Sequence, residues 1–233
     1  MAAHPIHLRA AVEGTLGHPE YRTLVGVDIE GYGRCDRTDP VRVGLRRRLS
    51  SWCTGLLAEA GADREQYHQH STGDGFLFSI DPHVPRTALL TGMVDGLRRQ
   101  LVSFNRGKTT AKRLRVRLAV HGGEVLRDPH PLEGSATVLT CRLLDAEVLR
   151  ACLLVTRQPL AAVASPVIYD GIIRQGYPGI VPASWYPVVA RIKGGLEAAW
   201  LCVPRDPTAP RRAEALVGGA GTEVTEASRR TAS

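Results

Sequence analysis

Residues 66–80, Gln-Tyr-His-Gln-His-Ser-Thr-Gly-Asp-Gly-Phe-Leu-Phe-Ser-Ile, contain the pattern that determines the fold. Two short runs that favour β-structure flank a tight polar turn, Gly73-Asp74-Gly75. Glycines around a small polar residue are typical of the turn in a β-hairpin. We therefore predict strands over residues 66–71 and 75–80, with Asp74 at the tip of the hairpin.

A second aspartate ends another predicted strand. The apolar run Leu24–Val27 leads into Asp28, and the glycine-rich segment Ile29-Glu-Gly-Tyr-Gly33 follows it. Two neighbouring carboxylates repel unless a cation lies between them, and hard divalent cations prefer oxygen ligands. Asp28 and Asp74 are therefore candidates for a metal site. The glycines beside them would let a polyphosphate approach the backbone closely.

Helical spacing accounts for much of the remaining chain. Thr38-Asp39-Pro40 has a capping side chain and an early proline, which together indicate the start of a helix that runs to Gly61. A second helix is predicted from Pro85 and a third over residues 135–153, with an alternating strand over 113–121 between them. The later predicted elements are a short element over residues 160–164, a helix over 165–175 and strands over 187–192 and 198–203.

The order of these elements through residue 155 is β-α-β-β-α-β-α. This order is typical of an α+β, ferredoxin-like (βαββαβ) palm-type sheet, with helices packed on one face. In that topology the first strand lies beside the central hairpin. We therefore expect Asp28 and Asp74 to meet at one edge of the sheet although they are distant in sequence.

Composition favours one domain. The chain has 233 residues, 43% of them apolar, which is enough for a single core. We expect a flexible leader over residues 1–20, a domain over 21–204 and a disordered basic tail over 205–233. The five cysteines show no C-x-x-C spacing and no signal peptide is evident, which favours reduced thiols in a cytoplasmic protein. No run approaches the roughly 18 apolar residues that span a bilayer, so no membrane partner is expected.

The charge of the chain is carried by arginine. The formal net charge is +7, and all but three of the 30 basic residues are arginine. Such an excess suits phosphate-bearing ligands, although Arg46, Arg47 and Arg48 are also consistent with a solvated helix face. Charge alone would permit nucleic-acid binding. Because aromatic residues make up only 5% of the chain and no base-stacking platform is evident, we expect no nucleic-acid partner.

Five motifs, in this order, resemble the catalytic domain of class III nucleotidyl cyclases, the adenylate and guanylate cyclase family. Val27-Asp28-Ile29-Glu30-Gly31-Tyr32 is similar to the family's first metal motif, and Gly73-Asp74-Gly75 is similar to the second. The other three are the strand Arg117–Val125, the helix start from Gly134 to Arg142-Leu-Leu, and Arg191-Ile-Lys193-Gly194 before Ala199-Trp-Leu201. The resemblance spans roughly residues 21 to 203.

This resemblance implies a phosphorus-oxygen lyase that converts a nucleoside triphosphate into a 3′,5′-cyclic nucleotide and pyrophosphate. Two divalent metal ions, Mg²⁺ or Mn²⁺, would assist the reaction. By the matching positions, Asp28 and Asp74 would bridge both ions, and the carbonyl of Ile29 would be a further ligand.

The same resemblance implies where the triphosphate binds. Backbone amides of Glu30, Gly31, Tyr32 and Gly33 would hold the β- and γ-phosphates at the start of the following helix. Arg142 would stabilise charge on the α-phosphate, and Lys193 would bind triphosphate oxygens. Because this arginine comes from the other subunit in the family, a homodimer with composite active sites is implied. Simpler interpretations are that Arg142 pairs with Asp145 or Glu147, and that Lys193 is an ordinary exposed residue.

The positions expected to contact base and ribose depart from the family pattern. Val138 stands where an asparagine orients the ribose, and His70 stands in place of the purine-selecting lysine. The acidic partner of that lysine would fall near Pro131, which leaves His130 and Glu133 as substitutes.

Two functions are consistent with these departures. One is a divergent signalling or anti-phage cyclase that selects another base, as pyrimidine cyclases of bacterial anti-phage systems do within this class. The alternative is a nucleotide-binding or regulatory module with weakened catalysis, since a misplacement of about 1 Å can slow a reaction about 100-fold. Both metal-site carboxylates are retained, which favours the enzyme.

Overall fold

The computed structural model describes residues 18–126 and 134–218. In this part of the chain seven strands form one sheet: β1 (Pro19–Ile29), β2 (Tyr67–Ser71), β3 (Gly75–Ile80), β4 (Val116–Leu126), β5 (Leu160–Ala164), β6 (Tyr186–Ile192) and β7 (Gly195–Cys202). The helices are α1 (Asp39–Glu59), α2 (Arg86–Thr91), α3 (Leu97–Asn105), α4 (Ser135–Leu144), α5 (Glu147–Val155), α6 (Pro166–Ile168) and α7 (residues 209–218). Among the described helices, none combines the length and the apolar character that crossing a membrane requires.

The strand order is β2-β3-β1-β4-β5-β7-β6. β1 lies between β3 and β4 and is antiparallel to both, while β4 and β5 are parallel. The first four strands with α1 and the α2–α3 pair thus form the βαββαβ unit, and the predicted α+β fold class is confirmed. The predicted hairpin is also confirmed, since β2 and β3 pair across the turn that contains Asp74.

Helices cover both faces of the sheet, whereas the sequence analysis expected them on one. The first core packs α1, α2 and α3 against alternate residues of β1 (Val25, Val27 and Ile29). The second core packs α4 and α5 against β5 residues Ala161 and Val163. The central strands carry apolar residues on both faces of the sheet, so helices must cover both faces.

The second predicted helix is one run of residues 86–105 with a π-helical turn, Gly92–Gly96, inside it. This turn packs closely on α1. A Cβ atom at Gly96 would lie 2.5 Å from Cδ2 of Leu56, so glycine allows the two helices to approach each other here. Thr38 caps α1 through its backbone carbonyl, which accepts from the amide of Arg42, and its side chain makes no capping bond, contrary to expectation.

Two further boundaries differ from the sequence predictions. The third helix is interrupted at Asp145-Ala146 and forms α4 and α5. The expected disordered tail contains α7 over residues 209–218, which is the last described segment. Ala209 and Ala213, four residues apart, are fully buried in the second core, so α7 is part of the domain. The predicted leader lies mostly outside the described residues, and β1 begins already at Pro19.

Candidate functional site

Asp28 lies on β1 and points away from the first core. Its neighbours Val27 and Ile29 belong to that core, so strand alternation directs the carboxylate to the face covered by α4. The residue is only 3% exposed. A carboxylate so deeply buried must have a charged or hydrogen-bonding partner.

That partner is Arg117, which lies directly opposite Asp28 on β4. Two parallel hydrogen bonds join them: Nε donates to Oδ1 at 2.8 Å and Nη2 to Oδ2 at 2.6 Å. Burial nevertheless raises the pKa of Asp28 to about 6. Arg117 opposes this rise, and the charges of Asp74 and Asp145 add to it. Arg117 lies in one of the motifs identified above, but its role could not be predicted, because the contact depends on the pairing register of distant strands.

Asp74 is half-buried in the β2–β3 turn, beside the end of β1. Its carbonyl accepts a hydrogen bond from the amide of Ile29 at 3.3 Å, and its charge contributes to the raised pKa of Asp28. The approach of the two strands depends on Gly75, where a Cβ atom would lie 1.9 Å from the carbonyl oxygen of Val27. The structure thus brings Asp28 and Asp74 together at one edge of the sheet, as the topology predicted.

The segment after β1 forms turns held by one buried arginine, Arg37, which is 4% exposed. Its guanidinium donates to four backbone carbonyls, those of Glu30, Gly31, Ala111 and Arg113, at 2.9–3.1 Å. This residue was not identified from the sequence. It is one of many arginines in its segment, and its partners lie 74 and 76 residues away or in the adjoining turn.

α1 begins at Asp39, as Thr38-Asp39-Pro40 predicted, so residues 30–33 lie in the turns before α1 and not at its start. The Glu30 amide donates to the carbonyl of Arg115, and the Tyr32 amide donates to that of Ile29. The amides of Gly31 and Gly33 donate to no described backbone group. The side chain of Glu30 pairs with Arg115 at 3.2 Å. Two of the four predicted amides therefore remain available to an anion.

Arg142 and Lys193 form a second group. Arg142 lies on α4, and Lys193 precedes the β6–β7 turn at Gly194, whose φ is +103°. A Cβ atom at Gly194 would lie 3.3 Å from Nη1 of Arg142, so this guanidinium lies against the turn. Asp145 pairs with Arg150 at 2.6 Å, and Arg142 pairs with no carboxylate of the described residues. The simple pairing considered for Arg142 is therefore not observed.

His70 lies on β2 and shares a face of the sheet with Asp28. It is paired with Leu77, which is in turn paired with Gly26, two residues before Asp28. Its Nε2 atom is buried and has no hydrogen-bond partner among the described residues. Val138 on α4 is 45% exposed. Glu133, His130 and Pro131 lie outside the described residues.

The donor atoms at Asp28 fit a hard divalent cation. Two carboxylates and the carbonyl of Ile29 supply oxygen only, which suits Mg²⁺ or Mn²⁺ better than zinc. Within residues 18–126 and 134–218, no group of three or more His, Cys, Asp and Glu side chains forms a metal cluster. Any site here would therefore rest on two carboxylates, and Arg117 would have to release one of them.

Comparison with known proteins identifies the fold. No protein-family model matches the sequence, and no curated protein matches it. The adenylate/guanylate cyclase/hydrolase from Silicibacter pomeroyi is a similar structure, with 16% identity and a TM-score of 0.58, over 80% of this chain and 98% of that chain.

Two guanylate cyclase domains are also similar. The guanylate cyclase domain of RhGC from Catenaria anguillulae, in complex with GTP, is 16% identical, with a TM-score of 0.54 over 79% of this chain and 96% of that chain. The non-canonical dimeric guanylyl cyclase domain of the RhoGC fusion protein from Blastocladiella emersonii is 14% identical, with a TM-score of 0.53 over the same shares. At these identities the likeness establishes that the chain has the fold of adenylate/guanylate cyclase catalytic domains.

Proposed function

We propose that this chain, which has the adenylate/guanylate cyclase fold, converts a nucleoside triphosphate into a 3′,5′-cyclic nucleotide and pyrophosphate. The observation that carries the proposal is the β3-β1-β4 register. It supports a pair of carboxylates, Asp28 and Asp74, at one sheet edge, beside a turn with free amides. Packing gains nothing from a buried carboxylate in this position. Binding of a cation and a triphosphate would account for the buried carboxylate.

The residues proposed to hold two divalent ions are Asp28, Asp74 and the carbonyl of Ile29. Bound there, such ions would neutralise triphosphate charge and acidify the ribose 3′-hydroxyl. Arg117 has a defined part in this proposal. Its guanidinium occupies both oxygens of Asp28, so it must leave them when an ion binds. Phosphate oxygens are its natural new acceptors, because guanidinium binds carboxylate and phosphate with the same bidentate geometry.

The remaining groups are assigned by their chemistry. The amides of Gly31 and Gly33 donate to the β- and γ-phosphates, and His70 offers its unpartnered Nε2 to the edge of the base. Arg142 and Lys193 stabilise negative charge on the α-phosphate and its neighbours. Because Arg142 lies against the turn after Lys193, the two cations would act together. We propose that they complete the site of a partner subunit in a homodimer.

The decisive experiment is incubation of the protein with each of the four common ribonucleoside triphosphates and Mn²⁺, with products identified by mass spectrometry. One triphosphate should give a cyclic nucleotide and an equal amount of pyrophosphate. Asp28→Ala and Asp74→Ala should each abolish the product. Asp170→Ala, which breaks an exposed pair with Arg174, is the matched control and should leave the rate unchanged. Absence of product from all four triphosphates would refute catalysis.

A second candidate function is nucleotide binding without turnover. The observation that favours it is Val138, an exposed side chain on α4 without hydrogen-bonding capacity at the position expected to orient the ribose. Titration calorimetry distinguishes the two functions. Binding of a triphosphate with Mg²⁺ but no product after prolonged incubation identifies the binding module. Turnover of any of the four triphosphates identifies the cyclase.

A further inference from the structure

Two segments of the chain carry basic residues and no acidic residue at all. Residues 40–58, most of α1, contain four arginines. Residues 97–115, which cover α3 and the connection to β4, contain five arginines and two of the three lysines of the whole chain. Because α1 and α3 contact each other, the fold brings these two segments to one side of the molecule.

Three depressions flank α1. We call the six basic residues that line them the basic face: Arg46, Arg47, Arg48, Arg99, Lys108 and Lys112. Two of the depressions share Arg48 and Phe104, and the third lies on another flank of α1, next to Tyr32 and Phe76. Their cavity volumes are about 410, 220 and 630 Å³. No acidic side chain lines any of the three, and the other polar lining groups are mostly serine and threonine hydroxyls, which can donate to phosphate.

The six cations are not neutralised within the described structure. None of them pairs with a carboxylate of residues 18–126 or 134–218, although ten other ion pairs occur there. The nearest acids along α1 are its first residue, Asp39, which pairs with Arg42, and its last, Glu59. The six positive charges repel one another, and a bound anion would reduce this repulsion.

Aromatic rings lie among these cations. Trp52 and Phe104 meet edge to face with ring centres 5.5 Å apart. The guanidinium of Arg48 lies 5.2 Å above the Phe104 ring, and Nζ of Lys108 lies 4.4 Å above it. Arg46 lies 4.8 Å above Phe76 in the third depression. Such contacts hold flexible cations in place, so less conformational entropy is lost when they bind an anion.

We propose that the basic face binds the phosphate backbone of a nucleic acid. Clustered Arg and Lys without carboxylate partners provide phosphate contacts. This departs from the expectation drawn from composition, because folding places six such cations around α1 and α3 and orders three of them against aromatic rings. An anionic membrane fits less well. Val43 is the only large apolar residue of α1 that is exposed, whereas membrane-surface helices present a broad apolar stripe.

Two of the three depressions, which share Arg48 and Phe104, contain no residue of the proposed cyclase site. The third includes Tyr32 of the proposed phosphate turn. The first two depressions can therefore bind an anion while the cyclase site is occupied, and the proposal does not depend on the proposed function.

The number of cations sets the expected salt dependence. Six phosphate contacts give a slope of log K against log salt of roughly −4 for single strands and roughly −5 for duplex. Sequence-independent binding of this kind has a dissociation constant of about 10⁻⁶ to 10⁻⁴ M at physiological salt.

The test is fluorescence anisotropy of the full chain with labelled 20-nucleotide RNA, single-stranded DNA and duplex DNA, from about 50 to 200 mM salt. We expect binding to at least one of them, with the slope given above. Arg47→Glu with Arg99→Glu should weaken binding at least about tenfold and reduce the slope by roughly 1.4 to 1.8. The matched control is Arg157→Glu with Arg174→Glu, an equal charge change at two exposed arginines elsewhere, and it should bind almost as the parent does.

Three outcomes would overturn the proposal. They are no binding at 50 mM salt, equal loss in the test and control pairs, and binding to vesicles containing 30% phosphatidylserine without binding to any nucleic acid. Circular dichroism of both double variants confirms that they fold. Cyclase turnover is measured in parallel, so failure of one proposal is seen independently of the other.

Discussion

Replacing Arg117 by methionine tests the central ion pair of the molecule. Methionine keeps most of the volume of the aliphatic stem and removes the guanidinium. Asp28, which is 3% exposed in the parent protein, then has no counter-charge. Breaking a buried pair on one side costs about 3–5 kcal/mol of folding free energy, because the remaining charge is buried without compensation. We therefore expect the free energy of unfolding to fall by that amount at pH 7.5.

The cost should depend on pH in a defined direction. Asp28 has a pKa of about 6 with Arg117 present, above its ordinary 3.8, and loss of Arg117 removes the contributions that oppose this rise. A carboxyl group whose pKa is raised on folding does not destabilise the folded state at any pH below its pKa in the unfolded state. The penalty develops as pH rises from about 4 through the folded pKa. The difference in stability between parent and variant should thus be small at pH 4 and largest at pH 7.5 and above.

Urea denaturation followed by circular dichroism, at several pH values from 4 to 8, measures both quantities. Arg150→Met is the control, since it breaks an ion pair whose side chains are 55% and 67% exposed and should cost about 1 kcal/mol or less. The reasoning is refuted if Arg117→Met costs no more than the control. It is refuted equally if its cost is the same at pH 4 as at pH 8.

Two further perturbations test the backbone around the site. Gly75→Ala places a Cβ atom 1.9 Å from a carbonyl oxygen of β1 and should lower the free energy of unfolding by at least about 3 kcal/mol. Gly33→Ala, where no atom lies within 4 Å of the new Cβ, should change it by about 0.5 kcal/mol or less. Similar values for both variants in urea denaturation would contradict the close approach of β1 and β3. Arg37→Met leaves four carbonyls without their donor and should lower the free energy of unfolding by roughly 2–4 kcal/mol. It should also speed proteolysis within residues 30–38. An unchanged cleavage rate there would show that Arg37 does not hold the turns.

The hairpin and the position of β1 beside it were predictable because their signals are local. Glycines around Asp74 specify the turn, and the βαββαβ order then places β1 beside β3. The proximity of Asp28 and Asp74 follows from those two steps. The roles of both residues in metal binding remain predictions.

Arg117 and Arg37 could not be singled out, because each depends on contacts between segments far apart in sequence. In an arginine-rich chain, residue type alone does not distinguish a buried cation from a solvated one. The register that pairs positions 28 and 117 is fixed by the whole sheet. The family resemblance implied a phosphate cradle at the start of the following helix, although the predicted start of that helix, Thr38-Asp39-Pro40, already lay beyond residue 33.

The end of the chain was misjudged for another reason. Alanine contributes little to hydrophobic periodicity, so Ala209 and Ala213 gave no signal that α7 packs on the second core. Polar contacts secure the same segment. Asp206 accepts from the hydroxyl of Thr156 at 2.7 Å, and Glu214 accepts from that of Tyr186 at 2.8 Å.

These attachments bear on how the protein should be handled in the laboratory. A version trimmed after residue 204, where composition suggests a dispensable extension, would remove Ala209 and Ala213 from the second core and expose apolar residues of that core. Such a truncated protein would tend to aggregate. A version that keeps residues 205–218 retains the contacts described for α7.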